Sequence, residues 1–228
     1  MRRLLPLAVA IALAGIPSLP VLAADTAAVP AGQTTTQLPR SVRPTHYDVA
    51  VVPDAANLRF TGKATIDIDV LAPTGSITLN AIDMGFANAA LTSADGKTTF
   101  GAPKVTVDAD AQTATFAFDQ PIAPGSYRLA MDYTGKIGTQ ANGLFAIDYE
   151  TKSGKKRALF TQFENSDARR FVPSWDEPAY KATFTLSADV PSGQMAVSNM
   201  PAAATTDLGK GMSRVRFETS PKMSSYLL

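Results

Sequence analysis

From Pro39 onward the chain is written in period two. Ala64, Ile66, Ile68 and Val70 alternate with Lys63, Thr65, Asp67 and Asp69, the signature of a strand with one face buried and one face wet. Tyr127, Leu129, Met131 and Tyr133 repeat the pattern against Ser126, Arg128, Ala130 and Asp132. Shorter runs at 47–52, 77–79, 105–107, 113–118, 145–149, 184–190 and 215–217 also read as strands. So does Ala158 to Glu164, where alternation sets Phe160, Gln162 and Glu164 on one face and Leu159, Thr161 and Phe163 on the other. Asp95-Gly96, Pro124-Gly125, Ser153-Gly154 and Gly209-Lys210-Gly211 supply residues suited to tight hairpin turns. No window sustains helical periodicity; one short helix or turn is expected at 176–182, with Pro178 in its first turn. There is no internal repeat. Many short strands at close spacing predict an all-β, mostly antiparallel domain, sandwich-like or open barrel-like.

The first 38 residues follow another logic. Arg2 and Arg3 precede an apolar stretch from Leu4 to Leu22, and Val21-Leu22-Ala23 is a small-residue cleavage site, so residues 1–23 read as a signal peptide. Pro6, Gly15, Pro17 and Pro20 interrupt that stretch, which disfavours a retained membrane helix. With no cysteine there is no lipoprotein anchor, and no stable membrane anchor is expected. Residues 24–38, rich in Ala, Thr, Pro and Gly, read as a flexible leader, and 39–228 as the folded β domain. The mature protein is expected in the periplasm or secreted.

Composition then narrows the chemistry. The 228 residues carry 21 basic and 20 acidic side chains, net +1. Removing Arg2 and Arg3 with the leader leaves 19 against 20, net −1. No basic block stands out, so nucleic acid is not an expected partner. There is no cysteine and a single histidine, His46. A zinc site draws on several Cys or His ligands, so this chain cannot assemble one, and His46 reads as a polar residue at a strand start. A Cys–His pair is impossible, and no Gly-x-Ser-x-Gly elbow accompanies His46 for a serine triad.

One segment stands apart: 161–184, TQFENSDARRFVPSWDEPAYKATF, gathers Gln162, Glu164, Asp167, Arg169, Arg170, Trp175, Asp176 and Glu177 in a short run. It resembles the block TQFE-x-x-DARR…P-x-WDEPA-x-KA-x-F of the aminopeptidase N family of zinc metallopeptidases. Further elements match along the chain. They are Leu38-Pro39 through Pro44-Thr45-His46-Tyr47-Asp48, Phe60-Thr61-Gly62, Ile77-Thr78-Leu79-Asn80, Val197-Ser198-Asn199-Met200-Pro201, and 219–228. The resemblance covers nearly the whole mature chain and implies a large, saddle-like, mostly antiparallel N-terminal domain. The segment departs from the family where Phe171-Val172-Pro173-Ser174 stands for the common Ala-Phe-Pro-Cys.

An aminopeptidase must recognise a free α-ammonium group, and a carboxylate does so through a charge-assisted hydrogen bond. In the family the Gln and Glu of the QFE motif line the first-residue pocket, so the resemblance assigns substrate binding to Gln162 and Glu164. Asp167, Arg169 and Arg170 are expected to pair with one another and with Asp176 or Glu177 as a structural lock. Trp175 is expected in the core, a carbohydrate platform being the distant alternative. The family's His-Glu-x-x-His helix and Gly-Ala-Met-Glu-Asn segment are absent, so no catalytic residue and no metal ligand are assigned. Zinc is expected in a thermolysin-like catalytic domain outside this chain. The apolar ending Ser224-Ser225-Tyr226-Leu227-Leu228 gives the expectation of a domain cut short, inactive alone, whose partners are peptide N-termini and that catalytic domain. The alternative is a non-catalytic periplasmic peptide-binding or interaction module.

Overall fold

The structure is a computed structural model and describes residues 37–228; the expected signal peptide and all of the expected leader but Gln37 and Leu38 lie outside that range. Thirteen strands follow in order: β1 (Val42–Asp54), β2 (Arg59–Val70), β3 (Thr74–Asn80), β4 (Gly85–Ser93), β5 (Lys104–Asp108), β6 (Thr113–Ile122), β7 (Gly125–Lys136), β8 (Gly143–Thr151), β9 (Gly154–Gln162), β10 (Lys181–Pro191), β11 (Ala202–Gly209), β12 (Met212–Phe217) and β13 (Met223–Ser224). Single 3-10 turns form at Ala168–Arg170 and Ser225–Leu227.

An eight-stranded sheet runs β11-β12-β10-β1-β2-β7-β4, with β13 added beside β10. A three-stranded sheet β3-β6-β5 and the hairpin β8-β9 complete the fold. Every strand pairing is antiparallel except β1 with β10. The large sheet stays open at β11 and β4, and the fold is all-β and mostly antiparallel, as expected.

The alternation seen in the sequence is the two-sidedness of the large sheet. On β2, Phe60, Ala64, Ile66, Ile68 and Val70 are buried, and β7 matches them with Leu129, Met131 and Tyr133. Ile77 and Leu79 of β3 and Ala114, Phe116 and Ile122 of β6 have no exposure. They share one hydrophobic cluster with the large sheet's inner face. The outer face carries ladders of opposite charge: Arg43–Asp69 at 3.0 Å, Arg128–Asp67 at 2.9 Å and Lys63–Asp132 at 3.4 Å. Exposed pairs of this kind contribute about 0–1 kcal/mol each, so burial of the inner face dominates stability.

Phe60-Thr61-Gly62 has a packing reason. A Cβ on Gly62 would meet Tyr133 Cζ at 2.3 Å, and one on the cross-strand Gly135 would meet Phe60 Cζ at 2.4 Å. Each ring therefore lies over the glycine of the neighbouring strand, and the two rings meet edge-on at 6.1 Å. The expected helix or turn near 176–182 is a turn, closed by the Tyr180 N–H donating to the Glu177 carbonyl.

Candidate functional site

The TQFE segment does not run as one strand. β9 ends at Gln162, Phe163 turns inward and is buried, and Glu164 opens a turn. The expected alternation through Glu164 is thus corrected: the backbone bends because Phe163 packs on Phe171, ring centroids 5.3 Å apart, and Phe171 reaches Phe60 at 5.8 Å. Gln162 and Glu164 nevertheless remain exposed neighbours. The Glu164 N–H donates to Gln162 Oε1 at 3.0 Å. That bond occupies an acceptor of the amide and leaves its NH2 donors to face outward. The peptide joining Glu164 to Asn165 is cis.

Beneath this turn lies a dense polar clamp. The Asp167 N–H donates to the Phe163 carbonyl at 2.9 Å, and Arg170 Nε donates to Asp167 Oδ1 at 2.7 Å. Arg170 also packs against Gly143, the residue paired with Gln162; a Cβ on Gly143, whose φ is +64°, would lie 2.7 Å from Arg170 Cβ. Arg169 reaches further in. Its backbone N–H and Nε donate to Asp176 Oδ2 at 3.2 and 3.0 Å, Nη2 donates to the Asp176 carbonyl at 3.0 Å, and Nη1 donates to Gln112 Oε1 at 3.0 Å. The other oxygen of Asp176 accepts from Ser225 Oγ at 2.6 Å, and its N–H donates to Asn80 Oδ1 at 3.1 Å. Both Asp176 and Asn80 are buried. The charged run after Glu164 is therefore a lock, as its residue types imply, and sequence reasoning missed three of its partners: Asn80, Gln112 and Ser225. Asn80 was legible only as the last residue of the Ile77–Asn80 element.

Trp175 is 1% exposed, which excludes it as a carbohydrate platform. Its backbone N–H donates to Tyr47 Oη at 3.1 Å, and Tyr47 stacks on Phe184 with centroids 4.7 Å apart. Burial holds the Tyr47 phenol far above its ordinary pKa, so it stays a neutral partner at any working pH. Glu177 points away from Asp176 and accepts the Leu38 N–H at 2.6 Å. Leu38 is itself buried, so the packed part already includes it.

His46 lies within β1 rather than at its start. Its Nδ1 meets Thr183 Oγ1 at 2.8 Å and its Nε2 lies 3.5 Å from Thr185 Oγ1. Both nitrogens are thus held by hydroxyls on the outer face of the large sheet. No three His, Cys, Asp or Glu residues group to hold a metal among the described residues. The residues present do not fit a zinc site.

Known proteins agree with the motif reading. The sequence profile of the Peptidase M1 N-terminal domain matches residues 43–227. Aminopeptidase N of Acetobacter pasteurianus is 43% identical over 193 residues, which cover 84% of this chain and 53% of that protein. Aminopeptidase M1-C of Oryza sativa subsp. japonica is 38% identical over 192 residues, 84% of this chain and 21% of that protein. Endoplasmic reticulum aminopeptidase 1 of Mus musculus is 31% identical over 196 residues, again 84% against 21%. The chain spans about half the length of the Acetobacter relative and about a fifth of the other two. With the profile matched almost from β1 to the last residue, this chain belongs to the Peptidase M1 N-terminal domain family.

Proposed function

We propose that this chain is the substrate-recognition and docking domain of an exported zinc aminopeptidase that removes N-terminal residues from peptides. In this reading the Glu164 carboxylate binds the substrate's α-ammonium group. Gln162, with an acceptor committed to the Glu164 N–H, donates its NH2 to a carbonyl of the first residue. The observation that carries it is an exposed carboxylate on a turn fixed from below by a buried ion pair. Such fixing lowers the ordering cost of binding a small charged group.

The same hairpin offers the docking surface. Cross-strand register puts Ile147, Tyr149 and Phe160 on the face that ends at Gln162, and these three are 45%, 45% and 48% exposed. A following catalytic domain would cover them and bring its zinc-activated water to the scissile carbonyl. The chain's own residues supply recognition and no step of hydrolysis. Export is proposed from the N-terminal signal, which places the enzyme in the periplasm or outside the cell.

The test is calorimetric titration of the purified chain with a short free-amine peptide and its N-acetylated twin. Free-amine binding weakened at least tenfold by acetylation, and by Glu164→Gln, is the expected result. A charge-assisted hydrogen bond worth about 1.5–3 kcal/mol corresponds to that loss. Equal affinity for the two peptides would remove Glu164 from the role. Binding by the isolated chain, with no longer protein made from the locus, would instead favour a stand-alone peptide-binding module.

A further inference from the structure

The two polar groups of the candidate site sit on different pieces of chain, and one side chain joins those pieces. Gln162 ends β9 and is paired with Gly143, the first residue of β8, while Glu164 lies beyond the inward turn at Phe163. The Arg170 stem crosses Gly143: a Cβ there would sit 2.7 Å from Arg170 Cβ, 3.2 Å from Cδ and 3.5 Å from Cγ. Further along, Arg170 Nε donates to Asp167 Oδ1 at 2.7 Å, and the Asp167 N–H donates to the Phe163 carbonyl at 2.9 Å. A closed path therefore runs from Gly143 to Gln162, through Phe163 and Asp167, and back through Arg170 to Gly143. Arg169, by contrast, is committed inward, to Asp176 and Gln112.

We infer that Arg170 is a positioning residue: it holds the end of the β8–β9 hairpin against the Phe163 turn and so sets the spacing between the Gln162 amide and the Glu164 carboxylate. As a statement about recognition it rests on the role proposed above for those two groups. The bond from the Glu164 N–H to Gln162 Oε1 is the contact that depends on it, because that bond spans the joint between strand and turn. Gly143 belongs to the same device. Its φ of +64° suits glycine, and the stem above it leaves no room for a Cβ, so the hairpin end closes directly onto Arg170. A displacement of about 1 Å is enough to cost a binding or catalytic site much of its effect. The Arg170 and Asp167 side chains are 34% and 26% exposed, so their pair adds little to global stability and acts on local geometry.

Charge and position make opposite predictions for Arg170. Removing a cation and freeing Asp167 beside a carboxylate that binds an ammonium group would, on charge alone, strengthen binding; loss of positioning weakens it. Calorimetric titration of Arg170→Met with the free-amine peptide separates the two, since Met keeps an unbranched stem over Gly143 and removes the donor. Binding about tenfold weaker than wild type is expected, with the urea midpoint nearly unchanged. Arg128→Met, which breaks the exposed pair with Asp67 on the large sheet, should bind as the wild type does. Tighter or equal binding by Arg170→Met overturns the inference, and so does a fall in urea midpoint as large as that of Arg169→Met, which would make Arg170 part of the structural lock. Hydrogen exchange at the Glu164 N–H gives a reading that needs no ligand. Faster exchange there in Arg170→Met, with global stability kept, supports the positioning role even if the wild type fails to tell the free-amine peptide from its acetylated twin, a failure that would remove the recognition role alone. Unchanged exchange overturns it.

Discussion

At the scale of single residues, the segment that identifies the family divides into two kinds of side chain. Gln162 and Glu164 face solvent, whereas Phe163, Ala168, Phe171, Trp175 and Asp176 are buried. The motif is therefore mostly framework, and this is why it extends so far beyond the two residues proposed to touch substrate. Arg169 is the centre of that framework: its side chain is 13% exposed, its partner Asp176 1%. Breaking a buried pair by removing one partner costs about 3–5 kcal/mol, because the remaining charge is left in a poor medium. Arg169→Met should therefore lower unfolding free energy in urea by that amount. Arg169→Lys should recover only part of it, since an ammonium cannot reproduce three diverging donors. A loss below about 1 kcal/mol in the Met variant would mean that Ser225 Oγ and the backbone N–H of residue 169 alone satisfy the Asp176 carboxylate.

At the scale of elements, the sequence was most legible where one face is buried and least where neither face is. β2 and β7 follow strict alternation because their inner residues enter the core while their outer ones sit in charge ladders. β4 and β11 escaped the reading. GFANAALTS and AAATTDLG hold few β-branched or aromatic residues, and the large sheet's register, not local propensity, makes them strands. The candidate site was legible as residue types but not as geometry, since the inward turn at Phe163 depends on Phe171 and Phe60, remote from any period-two rule. The β8–β9 hairpin shows what exposed charge contributes. Arg157 donates to both oxygens of Asp148, at 2.6 and 2.9 Å, and Lys155 lies 3.4 Å away. The Arg157 bond, ahead of the Coulombic attraction of Arg157 and Lys155, holds the Asp148 carboxyl down at about 2. A depressed carboxylate stabilises the folded hairpin above its unfolded pKa near 3.8 and loses that contribution as pH falls toward 2. A carboxyl NMR titration should show Asp148 midway near pH 2, and Arg157→Gln should move it toward the ordinary value. High salt should shrink the shift. An Asp148 titrating at its usual pH in the wild type would mean that the pair is not formed in solution.

At the scale of the whole molecule, the recurrent motifs converge although they are far apart in sequence. Tyr47 from the opening element, Asn80 from the third and Ser225 from the last all contact the Trp175–Asp176 dipeptide. Asn199 of the fourth donates to the Leu227 carbonyl. That convergence ties the two main sheets together at one point, because Tyr47 belongs to β1 of the large sheet and Asn80 to β3 of the small one. Asn80 and Ser174 exchange backbone hydrogen bonds at 2.8 and 3.1 Å there. A single hydrophobic cluster continuous across both sheets leaves neither with a core of its own, and domains built that way unfold as one unit. Trp175 is the only tryptophan, and it sits at this junction, so its fluorescence reports the joint while far-UV circular dichroism reports strand content. The two signals should trace one urea transition with a common midpoint. A fluorescence change preceding the loss of strand signal would show the sheets parting before they melt. The Gln162–Glu164 turn anchored at that joint would then be held by the small sheet's docking rather than by the fold as a whole.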